Sequence, residues 1–212
     1  MKSPVILVTV GHSGSSAVMQ ILSQLGMFIG KVYKLSHKNY YENVFFLEKN
    51  LNWIGRREFR LSDHDHLLSR MREVDVDVLR EEARREMERQ GLGEQVWGWK
   101  DPRTILTFPV WHRVFPDSLF VFLSRRNEDL LLDKVLGKPG RLSFALSQFE
   151  IARSIPEHTF DLHYDEMSDD FNGTVGSLCE AAGLSVTQDD LRRASALWRP
   201  KYGGKWRRNG KS

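Results

Sequence analysis

Apolar residues along the chain fall into two recurring patterns, short β-branched or aromatic runs and stretches with a three-to-four-residue spacing. Val5–Val10 is an unbroken apolar run between Pro4 and Gly11. It predicts a strand buried on both faces. From Ser16 to Leu25 the apolar positions Val18, Ile21, Leu22 and Leu25 have helical spacing, and Gly26 ends it. The chain therefore opens strand, glycine turn, helix. Residues 31–40 are polar and read as a loop. Tyr41 to Ile54, with Val44, Phe45, Leu47, Leu51 and Ile54, predicts a helix stopped by Gly55. Asp63 to Gln90 is dense in opposite charges, including Glu81, Glu82, Arg84, Arg85, Glu86 and Arg89. At helical spacing these support an exposed helix with a solvated face and no catalytic role.

The second half repeats the pattern. Val96–Trp99 predicts a strand, followed by a helix broken near Pro109, and Ser118–Ser124 predicts a second buried strand. Helices follow at Glu128–Val135 and Arg141–Ser154. Thr159–His163 predicts another strand, and helices near Asp170–Ala182 and Gln188–Leu197 complete the chain. Strands alternating with helices give an α/β fold of three layers, with a mostly parallel sheet of about four to five strands flanked by helices. In such sheets ligands bind beyond the carboxyl ends of the strands. Gly11–Ser16, Lys100–Arg103, Arg125–Arg126 and Tyr164–Asp165 all follow predicted strands directly, so one sheet edge gathers them.

Length and charge refine this. A chain of 212 residues is enough for one core. We expect a single domain over 1–198. Its one cysteine, Cys179, excludes an internal disulfide. The apolar run at the N-terminus is too short for a membrane span, so a cytoplasmic protein without membrane partners is expected. Net charge is +3, but residues 199–212 hold Arg199, Lys201, Lys205, Arg207, Arg208 and Lys211 and no acid. That end is either a solvated tail or a segment that seeks an anion. No recognised nucleic-acid module accompanies it, so no nucleic-acid partner is expected.

The chemistry-bearing segment is Gly11-His-Ser-Gly-Ser-Ser16. Small residues between a strand and a helix let backbone N–H groups turn inward, and the helix N-terminus adds partial positive charge, which suits a phosphate. The plain alternative is a β–α turn with Ser16 as helix cap. No Lys-Ser/Thr pair follows Gly14, so the Walker A requirement fails. No carboxylate cluster suggests a metal site.

Taken in order, these segments resemble the sulfotransferase family of the bacterial type. Val8 to Val18, running on to Leu22-Ser-Gln-Leu-Gly-Met-Phe-Ile-Gly30, is similar to that family's glycine-serine loop and the helix behind it. Tyr41-Glu-Asn43 resembles its aromatic-Glu-Asn element, and Trp99-Lys-Asp-Pro-Arg103 its Lys-Asp-Pro motif. Phe115-Pro-Asp to Arg125 resembles its Phe-Pro-Asp strand, which ends in a phosphate-binding arginine. His163-Tyr-Asp-Glu-Met167, then Leu178 to Leu184, is similar to its late Tyr-Glu-Asp-Leu element.

The resemblance implies a P-loop-like fold, 3'-phosphoadenylyl sulfate (PAPS) as co-substrate, no metal, and a small-molecule or saccharide acceptor. Gly11, His12, Ser13, Gly14, Ser15 and Ser16 would hold the 5'-phosphosulfate. Arg125 would hold the 3'-phosphate through charge-assisted hydrogen bonds, unless it makes only a surface salt bridge. Lys100 would neutralise the leaving oxygen, with Asp101 and Arg103 orienting it or the loop, or Asp101 merely capping the next helix. Glu42 would be the base, its alternative role being an exposed first-turn glutamate. His37 is the alternative base, and His12 is a third titratable group beside the donor.

Three positions depart from the family pattern. His12 replaces a basic residue, Asn127 a proline and Asp133 a serine. Within the basic segment 199–212, Gly203-Gly-Lys-Trp-Arg-Arg-Asn209 faintly resembles the Gly-Asp-Trp-Lys loop that closes over the nucleotide in cytosolic sulfotransferases, in which Arg207 or Arg208 would restore the lost charge. The competing expectations are a nucleotide- or anion-binding protein without turnover and a divergent ATP-dependent phosphotransferase.

Overall fold

The computed structural model describes residues 2–11, 13–35, 38–55, 64–125 and 139–198. Four parallel strands form the central sheet: β1 (Val5–Thr9), β4 (Gly98–Lys100), β5 (Leu119–Ser124) and β6 (Thr159–His163), in the order β4-β1-β5-β6. β1 is fully buried because both of its faces are covered. Its alternation separates the core into two layers. Ile6 and Val8 join Phe120 and Phe122 on one face, while Val5 and Leu7 join Val121 and Leu123 on the other.

The second of these faces packs against α1 (Ser15–Gln24), α8 (Phe171–Ala181) and α9 (Gln188–Ser195), with Met167 from the short α7 (Tyr164–Asp169). The first carries α2 (Val44–Ile54), α3 (His64–Arg72), α4 (Val76–Arg89), α5 (Thr104–Val114) and α6 (Pro139–Arg153). Helices therefore cover both faces of a parallel sheet, as the sequence predicts. No described helix is long and apolar enough to cross a membrane.

Phe46 of α2 anchors its face. Its ring lies parallel to Trp99 at 3.8 Å between centroids and meets Trp111 edge-on. Beside it, Phe28 occupies the outer edge of β4. Its N–H donates to the Val96 carbonyl, and its carbonyl accepts from Gly98 N–H.

The structure corrects several expectations. The stretch read as loop, residues 31–40, contains strands among its described residues: β2 (Val32–Leu35) and β3 (Lys38–Asn43) pair antiparallel as a hairpin. Half-exposed strands rich in Lys, Asn and Tyr lack the apolar alternation that marks a strand. The following helix starts at Val44 rather than Tyr41, because the Asn43 side chain accepts from Phe45 N–H and sets the cap there. The charged stretch contains two helices, and Asp75 caps the second by accepting from Asp77 and Val78 N–H. That helix is not simply exposed. Leu79, Ala83 and Met87, four residues apart, form a buried stripe beneath its ion pairs.

α5 continues through Pro109, which lies on the exposed side. The second strand is displaced by one residue from its predicted end, so Lys100 itself lies in β4. The helix expected at Glu128–Val135 lies outside the described residues.

The Phe46 stack yields a stability prediction. Phe46→Ala should destabilise the protein by about 3–5 kcal/mol in urea unfolding. A loss below about 1 kcal/mol would show that the layer does not depend on this ring.

Candidate active site

The carboxyl ends of all four parallel strands open on one edge, and that edge collects the polar residues of interest. The turn after β1 leads into α1, whose N-cap is Gly14 at φ 92°. The left-handed conformation alone favours glycine. A second constraint is steric: a Cβ on Gly14 would lie 2.0 Å from Cε2 of Tyr164. The first N–H groups of α1 have no partner one turn back within the helix, and they face this edge.

Ser16 is therefore not the cap. It sits inside the first turn, and its hydroxyl donates to the Tyr40 carbonyl at 3.0 Å. Ser13 and Ser15 are buried, and the Ser13 hydroxyl is hydrogen-bonded to Thr9 Oγ1. Ser13 thus braces the turn through its side chain. Gly11 is partly exposed, with nothing near the position of an added Cβ.

Lys100, at the end of β4, is only 1% exposed. Its Nζ donates to Tyr40 O at 2.7 Å, to Ser16 Oγ at 3.2 Å and to Glu42 Oε1 at 3.2 Å. An ammonium has three protons, so these acceptors match its capacity. Glu42 is buried in β3 and not on a helix. It follows Tyr41, a non-glycine residue at φ 54°.

Burial raises the Glu42 pKa; the Lys100 charge acts against that rise, as Arg103 does more weakly. Burial lowers the Lys100 pKa, with Glu42 opposing it. Both shifts ease the movement of a proton between the two groups.

The Asp101 side chain ties down the loop rather than capping the next helix, whose N-cap is Arg103 with no side-chain cap bond. Asp101 Oδ1 accepts from the Arg103 backbone N–H at 2.9 Å and from Arg103 Nη1 at 2.8 Å, while the Asp101 backbone carbonyl accepts from Thr104 N–H. Arg103 Nη1 also lies 3.6 Å from Glu42 Oε2.

At the other end of the edge, the Arg125 guanidinium lies 4.8 Å above the centroid of Tyr164. Tyr164 thus links Gly14 to Arg125, and Ser16 links α1 to Lys100. The structure brings together Gly11, Ser13, Gly14, Ser15, Ser16, Glu42, Lys100 and Arg125. His12, Arg207 and Arg208 lie outside the described residues, as do His37, Asn127 and Asp133.

Two residues of this edge receive no role in the sequence reading. Tyr164 is placed on the edge by its position after a strand, but its contact with Arg125 and its closeness to Gly14 are not visible there. Asn50 leaves a clearer trace: it falls four residues after Phe46 and three after Leu47, on the buried face of α2, where a polar side chain needs partners. It finds four: its Nδ2 donates to Asp101 Oδ2 and Thr104 Oγ1, and its Oδ1 accepts from Thr107 Oγ1 and Trp111 Nε1.

Gly14→Ala should lower stability by about 1–3 kcal/mol through backbone strain and displace the Tyr164 ring. Thermal unfolding and the tyrosine ring NMR shifts test both effects. An unchanged melting temperature with unmoved ring signals would show that the turn has room for a side chain.

No family model matches the sequence, and no curated protein matches it. Solved structures do. A sulfotransferase from Mycobacterium avium matches over 92% of this chain and 67% of its own, at 15% identity and a TM-score of 0.58. A Mycobacterium tuberculosis sulfotransferase matches over 92% and 71%, at 16% identity and a TM-score of 0.53. A mouse sulfotransferase complexed with PAP matches over 92% and 63%, at 10% identity and a TM-score of 0.52. At these identities the likeness is one of architecture, and the architecture of this chain is the sulfotransferase fold.

Proposed function

We propose that the chain is a sulfotransferase that moves a sulfuryl group from PAPS to a hydroxyl or amine of a small-molecule or saccharide acceptor. The observation that carries this reading is the buried Lys100–Glu42 pair seated against Ser16 in the first turn of α1. A cation and a carboxylate meet where a helix N-terminus faces the ligand edge. The fold likeness to sulfotransferases, one of them complexed with PAP, supports the choice of donor.

The residues present fit such a donor. Gly14 lets the backbone approach closely where a Cβ would strike Tyr164, and the α1 N–H groups with Ser16 form an anion cradle. Arg125, laid over Tyr164, takes the second anionic end. When bound, PAPS supplies a sulfuryl group activated by its link to phosphate. Lys100 then places its charge at the oxygen that leaves sulfur. Glu42 accepts the proton of the attacking hydroxyl or amine. Tyr40 O holds Lys100 in place through the exchange of partners.

A second reading is favoured by one observation: the Lys100 ammonium already has a full set of acceptors. A lysine held in that way suits a protein that binds an anionic nucleotide without turnover.

Thermal shift with 3',5'-adenosine bisphosphate, ATP with Mg²⁺, and sulfate separates the donor classes. The bisphosphate should stabilise the protein and ATP with Mg²⁺ should not; the reverse would indicate a phosphotransferase. Lys100→Ala should lower kcat by about 100-fold or more while keeping most of the bisphosphate shift. A bisphosphate shift with no turnover on a broad acceptor panel would establish the second reading.

The pH profile provides a separate test. Glu42 must be ionised to act, and burial raises its pKa. The acid limb of kcat/KM should therefore rise with pH above the ordinary carboxylate range. Lys100 must be protonated, and burial lowers its pKa, so the alkaline limb should fall below the ordinary lysine range. Glu42→Gln should remove the acid limb and cost about 100- to 10,000-fold in rate. An acid limb that survives this substitution would exclude Glu42 as the base.

A further inference from the structure

Resting on that reading, we propose that Arg103 is a positioning residue that holds Glu42 in place when Lys100 turns to the leaving group, and that Asn50, through Asp101, fixes Arg103 for this task. Glu42 is bracketed by two cations. Its Oε1 faces Lys100 at 3.2 Å and its Oε2 faces Arg103 at 3.6 Å. The two cations are held differently. Lys100 bonds to Ser16 in the first turn of α1, on the side where the donor binds, so its charge is the one drawn away during transfer. Arg103 is tied on the opposite side by Asp101, through a 2.8 Å ion pair and a backbone bond.

Asp101 in turn cannot rotate freely. Its second oxygen takes the Asn50 amide at 2.9 Å, and Asn50 is held by Thr107 and Trp111 of α5. Asn50 and Asp101 are both fully buried, whereas the Arg103 side chain is 38% exposed. The arginine thus has a fixed root and an accessible tip beside the carboxylate.

The charge balance explains why a second cation is needed. Lys100, Arg103, Glu42 and Asp101 together are formally neutral. If Lys100 gives its charge to the leaving oxygen, a Glu42 without Arg103 would be a buried anion with no counterion. Such a group takes up a proton and ceases to be a base. With Arg103 in place the carboxylate stays ionised and keeps its orientation. Lys100, Asp101 and Arg103 are the charged groups that act on Glu42 among the described residues. Of these, Asp101 raises the Glu42 pKa and the two cations lower it.

The experiment compares Arg103→Ala, Arg103→Lys, Glu42→Gln and the Arg103→Ala/Glu42→Gln double variant in the full chain. The first readout is the Glu42 carboxyl titration, followed by NMR with ¹³C-labelled glutamate, which needs no turnover. Arg103→Ala should move that titration to higher pH, and Arg103→Lys should return it part of the way. The second readout is steady-state kinetics. Arg103→Ala should lower kcat by up to about 100-fold, leave the KM for the nucleotide unchanged and shift the acid limb upward. The double variant should be no worse than Glu42→Gln alone, because Arg103 acts through Glu42.

An unmoved Glu42 titration overturns the proposal, as does a loss in the double variant that multiplies the two single losses. If the titration moves as expected but no sulfuryl transfer is found, the pairing stands and the function proposed above fails. Should Arg103→Ala fail to fold, Asn50→Asp with circular dichroism and the same titration replaces it. That substitution puts a second carboxylate against Asp101, and it must move the Glu42 titration for the proposal to survive.

Discussion

The burial of one ammonium group sets the terms for the rest of this edge of the molecule. Lys100 is at the end of a strand and nearly inaccessible, and a buried cation is costly unless every proton finds an acceptor. Its three acceptors come from two other elements: a carboxylate and a carbonyl on β3, and a hydroxyl on α1. Satisfying the lysine therefore requires the hairpin, the first helix and β4 to be in register. The same requirement explains why a polar hairpin stays docked with little apolar surface of its own. Asn43 adds to this, capping α2 through Oδ1 while its Nδ2 donates to the Ile29 carbonyl.

Packing supplies the rigidity that this polar arrangement needs. Trp99 precedes Lys100 in the strand, so the two side chains point to opposite faces. Trp99 is clamped by Phe46 and Trp111, and Trp111 also donates to Asn50. The aromatic layer and the charged layer thus share members. A shift of α2 would disturb Phe46 and Asn50 together, and through them both Trp99 and Asp101.

Much of the scaffold is legible in the sequence. Val5–Thr9 and Leu119–Ser124 are visible as apolar runs because a parallel sheet covered on both faces leaves little room for polar residues, whereas the border strand Thr159–His163 shows only the alternation of Phe160 and Leu162. The strand ends carry the loops that matter, so Lys100, Arg125 and the glycine turn can be assigned to one edge before any coordinates are seen. The hairpin is not legible: Lys38-Asn-Tyr-Tyr-Glu-Asn43 has no strand periodicity, and its shape depends on the distant groups that bond to it. The placement of Glu42 is hidden for the same reason, since its partner is 58 residues away. Pattern reading puts it at the start of a helix, whereas the Asn43 cap delays that helix by three residues. Asn50 announces itself only as a polar residue on an apolar stripe, and nothing local says what it grips.

The Phe28 segment beside β4 has a consequence for assembly. By bonding on both sides of Trp97, it fills the backbone positions that a further strand would use, so that border of the sheet is already closed. Among the described residues the open border is β6, where Asp161 is paired with Arg153 and the neighbouring positions are largely polar. A second copy of the chain that extended the central sheet would dock there, at the end of the strand order farthest from Lys100.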